Sequence, residues 1–168
     1  MTPRASDSFE QAAIRRVAAA HPDADLDALR ASFDLIRLAT LLVQQIESRV
    51  HRPAGWSMAG FRVMFCVWVA GELEPREIAR FSGLSRAAVS SALNTLERDG
   101  LIERHRESTD RRLVTVRLTS DGERRLGRAY REKNVVEQAF IGVLRARELD
   151  GFVGSIQRLL RAGGRSGD

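Results

Sequence analysis

The sequence predicts a mainly α-helical protein carrying one small β-hairpin. Three observations predict it: apolar residues recur at helical spacing through most of the 168-residue chain, a two-residue alternation replaces that spacing only between Leu101 and Leu118, and capping signals bracket the helical stretches. An apolar fraction of 43% can build a core and a charged fraction of 29% keeps the surface solvated, so disordered and fibrous classes are excluded. The length suits one compact domain, or a small one with helical extensions that a partner completes.

The stretch from Ser8 to Gln11 has the Ser-x-x-Gln form of a capping box, and Ile14 and Val17 follow at helical spacing, so a short helix is expected to about Ala20. His21, Pro22 and Asp23 interrupt it. A longer helix is expected from about Asp25, with Leu29, Ile36, Val43 and Val50 seven apart and Leu26, Phe33 and Thr40 beside them. Leu35, Leu38, Leu41 and Leu42 widen this stripe beyond what one small neighbour covers, and a second subunit is the economical way to bury it. Pro53 and Gly55 mark His51 to Trp56 as a loop, after which Ser57 caps a helix so apolar all round that it reads as central core, ending near Gly71.

Glu74 and Pro75 open a short helix to Phe81, with proline at the first position, where its missing N–H costs nothing. Ser82, Gly83 and Leu84 read as a tight turn, and Ser85 caps a helix to Asp99 that Gly100 closes. Leu101 and Ile102 begin one strand and Leu113 to Leu118 form the other, with polar, turn-prone residues from Glu107 to Arg111 between them. Thr119 to Gly122 start a long helix to about Leu144, and a last helix occupies Glu148 to Arg161 before a Gly/Ser tail.

The longest apolar run, Phe61 to Ala70, is interrupted by Arg62 and is too short to span a bilayer, so no membrane segment is expected. Asp7 and Glu10 follow closely on Arg4, without the order of charges of a secretory signal, which points to the cytoplasm. A single cysteine, Cys66, excludes an intrachain disulfide and a zinc site built on paired thiolates. The net charge of +5 suits a polyanionic partner, but every basic residue except Lys133 is arginine, so distribution carries more weight than the total. Arginines crowd Arg98 to Arg131, which places the basic face in the middle of the chain.

A short helix, a glycine turn, a second helix and a basic hairpin, in that order, make a winged helix-turn-helix. The second helix divides by faces. Val89, Leu93 and Leu96, with Ala88 and Ala92 beside them, are expected to pack on the Ile78 and Phe81 side of the preceding helix. The opposite face carries Arg86, Ala87, Ser90, Ser91, Asn94 and Arg98, short and hydrogen-bonding as close approach to base edges requires. Arg86 suits guanine O6 and N7, Asn94 suits adenine, and the helix N-terminus favours a phosphate. Arg76 and Ser85 complete the candidate DNA-facing set on the two helices.

The residues from Pro75 to Ala79, Gly83 to Ser85, Leu96 to Arg104, Asp110 to Arg112 and Val116 to Gly122 resemble the MarR family of multiple antibiotic resistance regulators. The resemblance covers roughly Phe61 to Leu126; the flanking helices agree in layout only. It implies a homodimer built from terminal helices, with recognition helices in successive major grooves of double-stranded operator DNA and wings in the flanking minor grooves. Asp110 and Arg112 fall on the family's Asp-x-Arg wing motif, where the carboxylate holds the guanidinium ready for a narrow minor groove, and Arg111 is then a phosphate contact. The domain organisation that follows is 1–56 for N-terminal, largely dimerising helices, 57–122 for the winged lobe, 123–161 for C-terminal dimerisation helices and 162–168 for a flexible tail.

Many relatives of this fold bind a small phenolic or carboxylated effector between dimerisation helices and the DNA-binding lobe. Arg37, His51, Trp56, Phe61 and Trp68 are this chain's candidates for such a site, although aromatics at such positions are more often core. Cys66 sits among apolar neighbours that suppress the reactive thiolate, so it reads as a small core residue rather than an oxidant sensor. His21, His51 and His105 are scattered, no metal-ligand pair is present, and no glycine-rich phosphate loop follows a strand, so neither an enzyme nor a cofactor is expected. The expectation is a sequence-specific DNA-binding transcriptional regulator, a repressor working as a homodimer on a pseudo-palindromic operator. The alternative is a winged-helix architectural or protein-interaction module without a ligand response.

Overall fold

The computed structural model describes residues 5–106 and 114–163, and its contacts divide the chain into two units, Met1–Gln44 and Gln45–Asp168. In the first unit, α1 (Ala5–Ala20) ends where the N–H of His21 bonds to the carbonyl of Val17, and α2 (Leu26–Ile46) begins over Asp25. The Asp25 carboxylate accepts from the N–H groups of Asp27 and Ala28 at 3.1 and 2.9 Å, satisfying donors that have no partner within the helix. Because α1 starts at Ala5, the stretch from Ser8 to Gln11 lies inside the helix and does not open it, contrary to the capping-box expectation. Phe9 and Phe33 face each other with ring centroids 6.3 Å apart, and Arg37 pairs with Glu10 at 3.6 Å.

The loop expected at His51 to Trp56 is mostly helical. A π-helical turn, Glu47–His51, runs on from α2 into the single turn of α3 (Arg52–Ala54). Pro53 falls within α3 and does not end the run. Gly55 ends the run instead, at φ 84°, in the left-handed region open to glycine.

The core of the second unit forms on α4 (Met58–Ala70), capped by Ser57, whose hydroxyl accepts from the Gly60 N–H at 3.2 Å. Phe61, Val63, Met64 and Val67 are buried, each worth about 1.5–3 kcal/mol in apolar area removed from water. The helix is not core all round: Val69 is exposed, and Trp68 is 52% exposed although its ring meets Tyr130 at 6.3 Å. α5 (Pro75–Ser82) and α6 (Arg86–Arg98) cross α4 through Ile78, Val89, Leu93 and Leu96, all buried, as their spacing requires. Phe81 is the exception; it is 55% exposed, with the Arg80 guanidinium 4.6 Å from its ring centroid. An exposed Phe81 leaves Ile78 as the large side chain that α5 buries.

Strands β1 (Ile102–Arg106) and β2 (Val114–Leu118) pair antiparallel, in register from Ile102 opposite Leu118 to Arg106 opposite Val114. Leu73, just ahead of α5, exchanges both backbone hydrogen bonds with Val116 and so ties the hairpin to the helix pair. α7 (Ser120–Ile141) is capped by Thr119, whose hydroxyl accepts from the Gly122 N–H at 3.0 Å and donates to the Gly100 carbonyl at 2.8 Å. It stops three residues short of Leu144, at Gly142. α8 (Ala146–Gly163) buries none of its residues within the chain. No helix among the described residues is long and apolar enough to cross a membrane.

Candidate nucleic-acid interface

The outward face of α6 begins with its cap. Ser85 accepts from the Ala88 N–H at 3.2 Å, which leaves the other N–H groups of the first turn pointing outward, where they favour an anion. Arg86, Ala87, Ser90, Ser91, Asn94 and Arg98 are all exposed. At about 100° per residue, Ala87, Asn94 and Arg98 fall within about 40° of one another and form the centre of the face. Arg86 and Ser90 lie on one flank, lining a groove of 710 Å³ with Pro75, Arg76, Glu97 and Arg104. Ser91 lies on the other flank, in a smaller groove of 250 Å³ bounded by Trp56, Ser57 and Gly60.

The charges on this face are arranged in pairs. Arg76 bonds Glu74 at 2.9 Å, Arg98 bonds Asp99 at 3.2 Å, and Arg104 reaches Glu97 at 3.3 Å. Arg86 forms no ion pair among the described residues, which leaves its fork of donors available to an outside acceptor. Exposed pairs of this kind contribute at most about 1 kcal/mol and are readily exchanged for a phosphate. On the hairpin, Arg117 donates to Glu103 at 2.6 Å, and this contact holds the Glu103 carboxyl below its ordinary range.

Arg104 is a member of the site that sequence reasoning missed. Strand alternation puts it on the same side as the buried Ile102, which turns it back toward α6, and there its Nη2 donates to Asn94 Oδ1 at 2.7 Å. The signal was available in the alternation and in the glutamate seven residues earlier, Glu97. Asp110, Arg111 and Arg112 of the expected wing motif lie outside the described residues.

The expected effector residues do not form one cluster. His51, Phe61 and Trp68 belong to a run of rings: His51 stacks on Phe61 at 4.7 Å, Phe61 on Phe65 at 5.9 Å, and Phe65 and Tyr130 meet Trp68. Lys133 Nζ stands 5.8 Å from the Phe61 ring centroid. Trp56, buried, donates its backbone N–H to the His51 carbonyl at 3.1 Å and has the Arg125 guanidinium 5.4 Å from its ring, and Arg125 also donates to the Ala54 carbonyl at 2.8 Å. Arg37 belongs to the N-terminal unit. His51 is fully buried and neither ring nitrogen has a hydrogen-bond partner among the described residues; burial pushes its pKa down, Glu47 opposes that and Lys133 adds to it. Cys66 is half-buried, and burial raises its thiol pKa against the pull of Arg62. No group of three or more His, Cys, Asp or Glu among the described residues is placed to hold a metal ion.

Residues 56–114 match the model of the MarR family. YwaE of Bacillus subtilis (strain 168), named an uncharacterized HTH-type transcriptional regulator, is 33% identical over 108 residues, which is 64% of this chain and 63% of that protein. The chain therefore spans less than two thirds of this relative's length. BpsR of Bordetella bronchiseptica, solved in a study of the regulation of its DNA binding by 6-hydroxynicotinic acid, superposes with a TM-score of 0.71 at 19% identity over 77% of this chain and 98% of that one. A cysteine-to-serine mutant of MarR from E. coli in complex with operator DNA superposes with a TM-score of 0.65 at 22% identity over 76% and 95% of the two chains. The names of these proteins describe regulation rather than catalysis, and the segment of this chain that is similar to the MarR family, residues 56–114, is the one that carries α5, α6 and β1 in helix-turn-helix order.

Proposed function

We propose that the chain is a sequence-specific DNA-binding transcriptional regulator that reads a pseudo-palindromic operator as a homodimer. The observation that carries this is the face of α6: a capped N-terminus, an Arg86 with no ion pair among the described residues and the exposed Ser90 and Asn94 stand together beside a groove whose rim is basic. A fold neighbour solved on operator DNA supports the reading. Two-fold symmetry would set the half-sites about one helical turn apart. Arg76, Ser85, Arg86, Ala87, Ser90, Ser91, Asn94 and Arg98 then meet the duplex directly, with Asp110, Arg111 and Arg112 at the wing. Repression follows most simply, since a dimer spanning two grooves occupies the DNA that a polymerase needs. A small aromatic or carboxylated effector is the proposed signal, favoured by the ring series from His51 to Trp68 with Lys133 beside it and by a fold neighbour studied with 6-hydroxynicotinic acid.

The test is fluorescence anisotropy with the DNA flanking the protein's own gene and a scrambled duplex, at several salt concentrations. The wild type should prefer the flanking DNA by about a thousandfold or more. Arg86→Ala should lose about 1–3 kcal/mol on that DNA and far less on the scrambled duplex. Arg112→Ala should weaken both and flatten the dependence of log affinity on log salt by about one unit for each phosphate-like interaction removed. Equal affinity for the two duplexes would remove the specific regulator and leave the architectural module.

A further inference from the structure

On the DNA-reading face proposed above, one side chain is already committed. Asn94 Oδ1 accepts from Arg104 Nη2 at 2.7 Å, and the other arm of the same guanidinium reaches Glu97 at 3.3 Å, one turn along α6. A guanidinium has donors and no acceptor, so only the amide oxygen of Asn94 can face it. Chemistry therefore dictates the orientation of the amide, and the NH2 group is the end left for an outside partner.

An unconstrained asparagine in a major groove pairs with adenine, its oxygen accepting from N6 while its nitrogen donates to N7. Pairing both amide atoms with one adenine would make Oδ1 accept from N6 as well as from the guanidinium, using both its lone pairs and pressing the Arg104 cation against the N6 donor. An outward NH2 group carries donors alone, and guanine presents acceptors alone in the major groove, N7 and O6. We propose that Arg104 is a positioning residue that sets the base preference of α6, holding the Asn94 amide so that it selects guanine rather than adenine. The inference rests on the DNA-reading function above. Glu97 is the second anchor, without which the guanidinium is free to turn away from the helix.

The Arg104 and Glu97 side chains are 29% and 42% exposed, so their pair adds little to stability and a substitution at either leaves the fold in place. In-vitro selection from a random duplex library reads the effect directly, using the full chain as wild type, Asn94→Ala, Arg104→Met, Arg104→Lys and Glu97→Gln. Asn94→Ala identifies the base pair in question by flattening its preference. At that pair the wild type should enrich guanine, Arg104→Met should shift the ratio toward adenine by about fivefold or more, and Arg104→Lys, which keeps a charged donor for Oδ1, should retain guanine. Glu97→Gln should shift the ratio the same way by a smaller factor, and it carries the test without altering Arg104. An Arg104→Met protein that keeps the wild-type preference and loses affinity uniformly would overturn the proposal by reducing Arg104 to a phosphate contact, as would a wild type that enriches adenine at the Asn94 position. A wild type that enriches no sequence would defeat the DNA-reading function itself, which separates the two failures.

Discussion

His51 is a buried histidine whose ring stacks on Phe61 and whose nitrogens find no partner among the described residues. One of them carries a proton in every state, and a buried donor without an acceptor costs about 1–3 kcal/mol. Burial also depresses the pKa, with Lys133 adding to the shift and Glu47 opposing it. The sign follows: the unfolded chain takes up the proton first, at about pH 6.5, so the stability associated with neutral His51 is complete above that pH and is lost as the pH falls toward the depressed folded value. Urea unfolding should therefore give a flat free energy above about pH 7 and a decline below about pH 6.5. His51→Phe should remove that part of the decline and add about 1 kcal/mol or more at pH 5.5 by replacing both unbonded nitrogens with carbon. Identical pH profiles for the two proteins would exonerate the histidine.

At the scale of an element, the start of α7 is set by a close approach. A Cβ built on Gly122 would stand 2.0 Å from the Leu101 carbonyl oxygen, a backbone atom with no rotamer to yield. Gly122→Ala should cost more than the about 1–3 kcal/mol typical of overpacking, seen as a fall in the urea midpoint, while Gly127→Ala, whose Cβ would meet the Arg131 guanidinium at an ordinary 3.9 Å, should be neutral or stabilising. A Gly122→Ala protein of wild-type stability would show that the hairpin base can shift away. The glycine was legible in the sequence only as part of a helix-start pattern, because its reason lies twenty-one residues earlier, at Leu101. The same division holds elsewhere. The caps at Ser57, Ser85 and Thr119 and the buried row Val89, Leu93 and Leu96 were readable, since each is decided within a few residues of itself. The bridge from Leu73 to Val116, the exposure of Phe81 and the contact from Arg104 to Asn94 were not, since each joins separate elements.

For the whole molecule, the question is what covers the apolar surface that the chain leaves open. Ile36 and Val43 of α2 are 69% and 44% exposed, and Leu159 and Leu160 of α8 are 61% and 70% exposed. Side chains of this size gain about 1.5–3 kcal/mol each when buried, which favours a second copy over solvent. Sedimentation equilibrium should find a dimer at micromolar concentration, and Leu160→Glu should raise its dissociation constant by at least about tenfold, the equivalent of about 1.4 kcal/mol. A stable folded monomer in the wild type would defeat this assembly, and with it the two-fold operator.

The π-helical turn at Glu47–His51 bears on how this chain should be compared with others. A turn of this kind holds one more residue than an α-helical turn, and the surplus rotates the side chains that follow it by about 100°. The seven-residue series therefore changes character at the turn, with Val43 open to solvent and Val50 1% exposed. The turn therefore holds one residue more than the same span of regular α-helix would. Any alignment that matches this helix to an uninterrupted one has to open a gap between Glu47 and His51, or it will pair surface positions with core positions from there to Ala54.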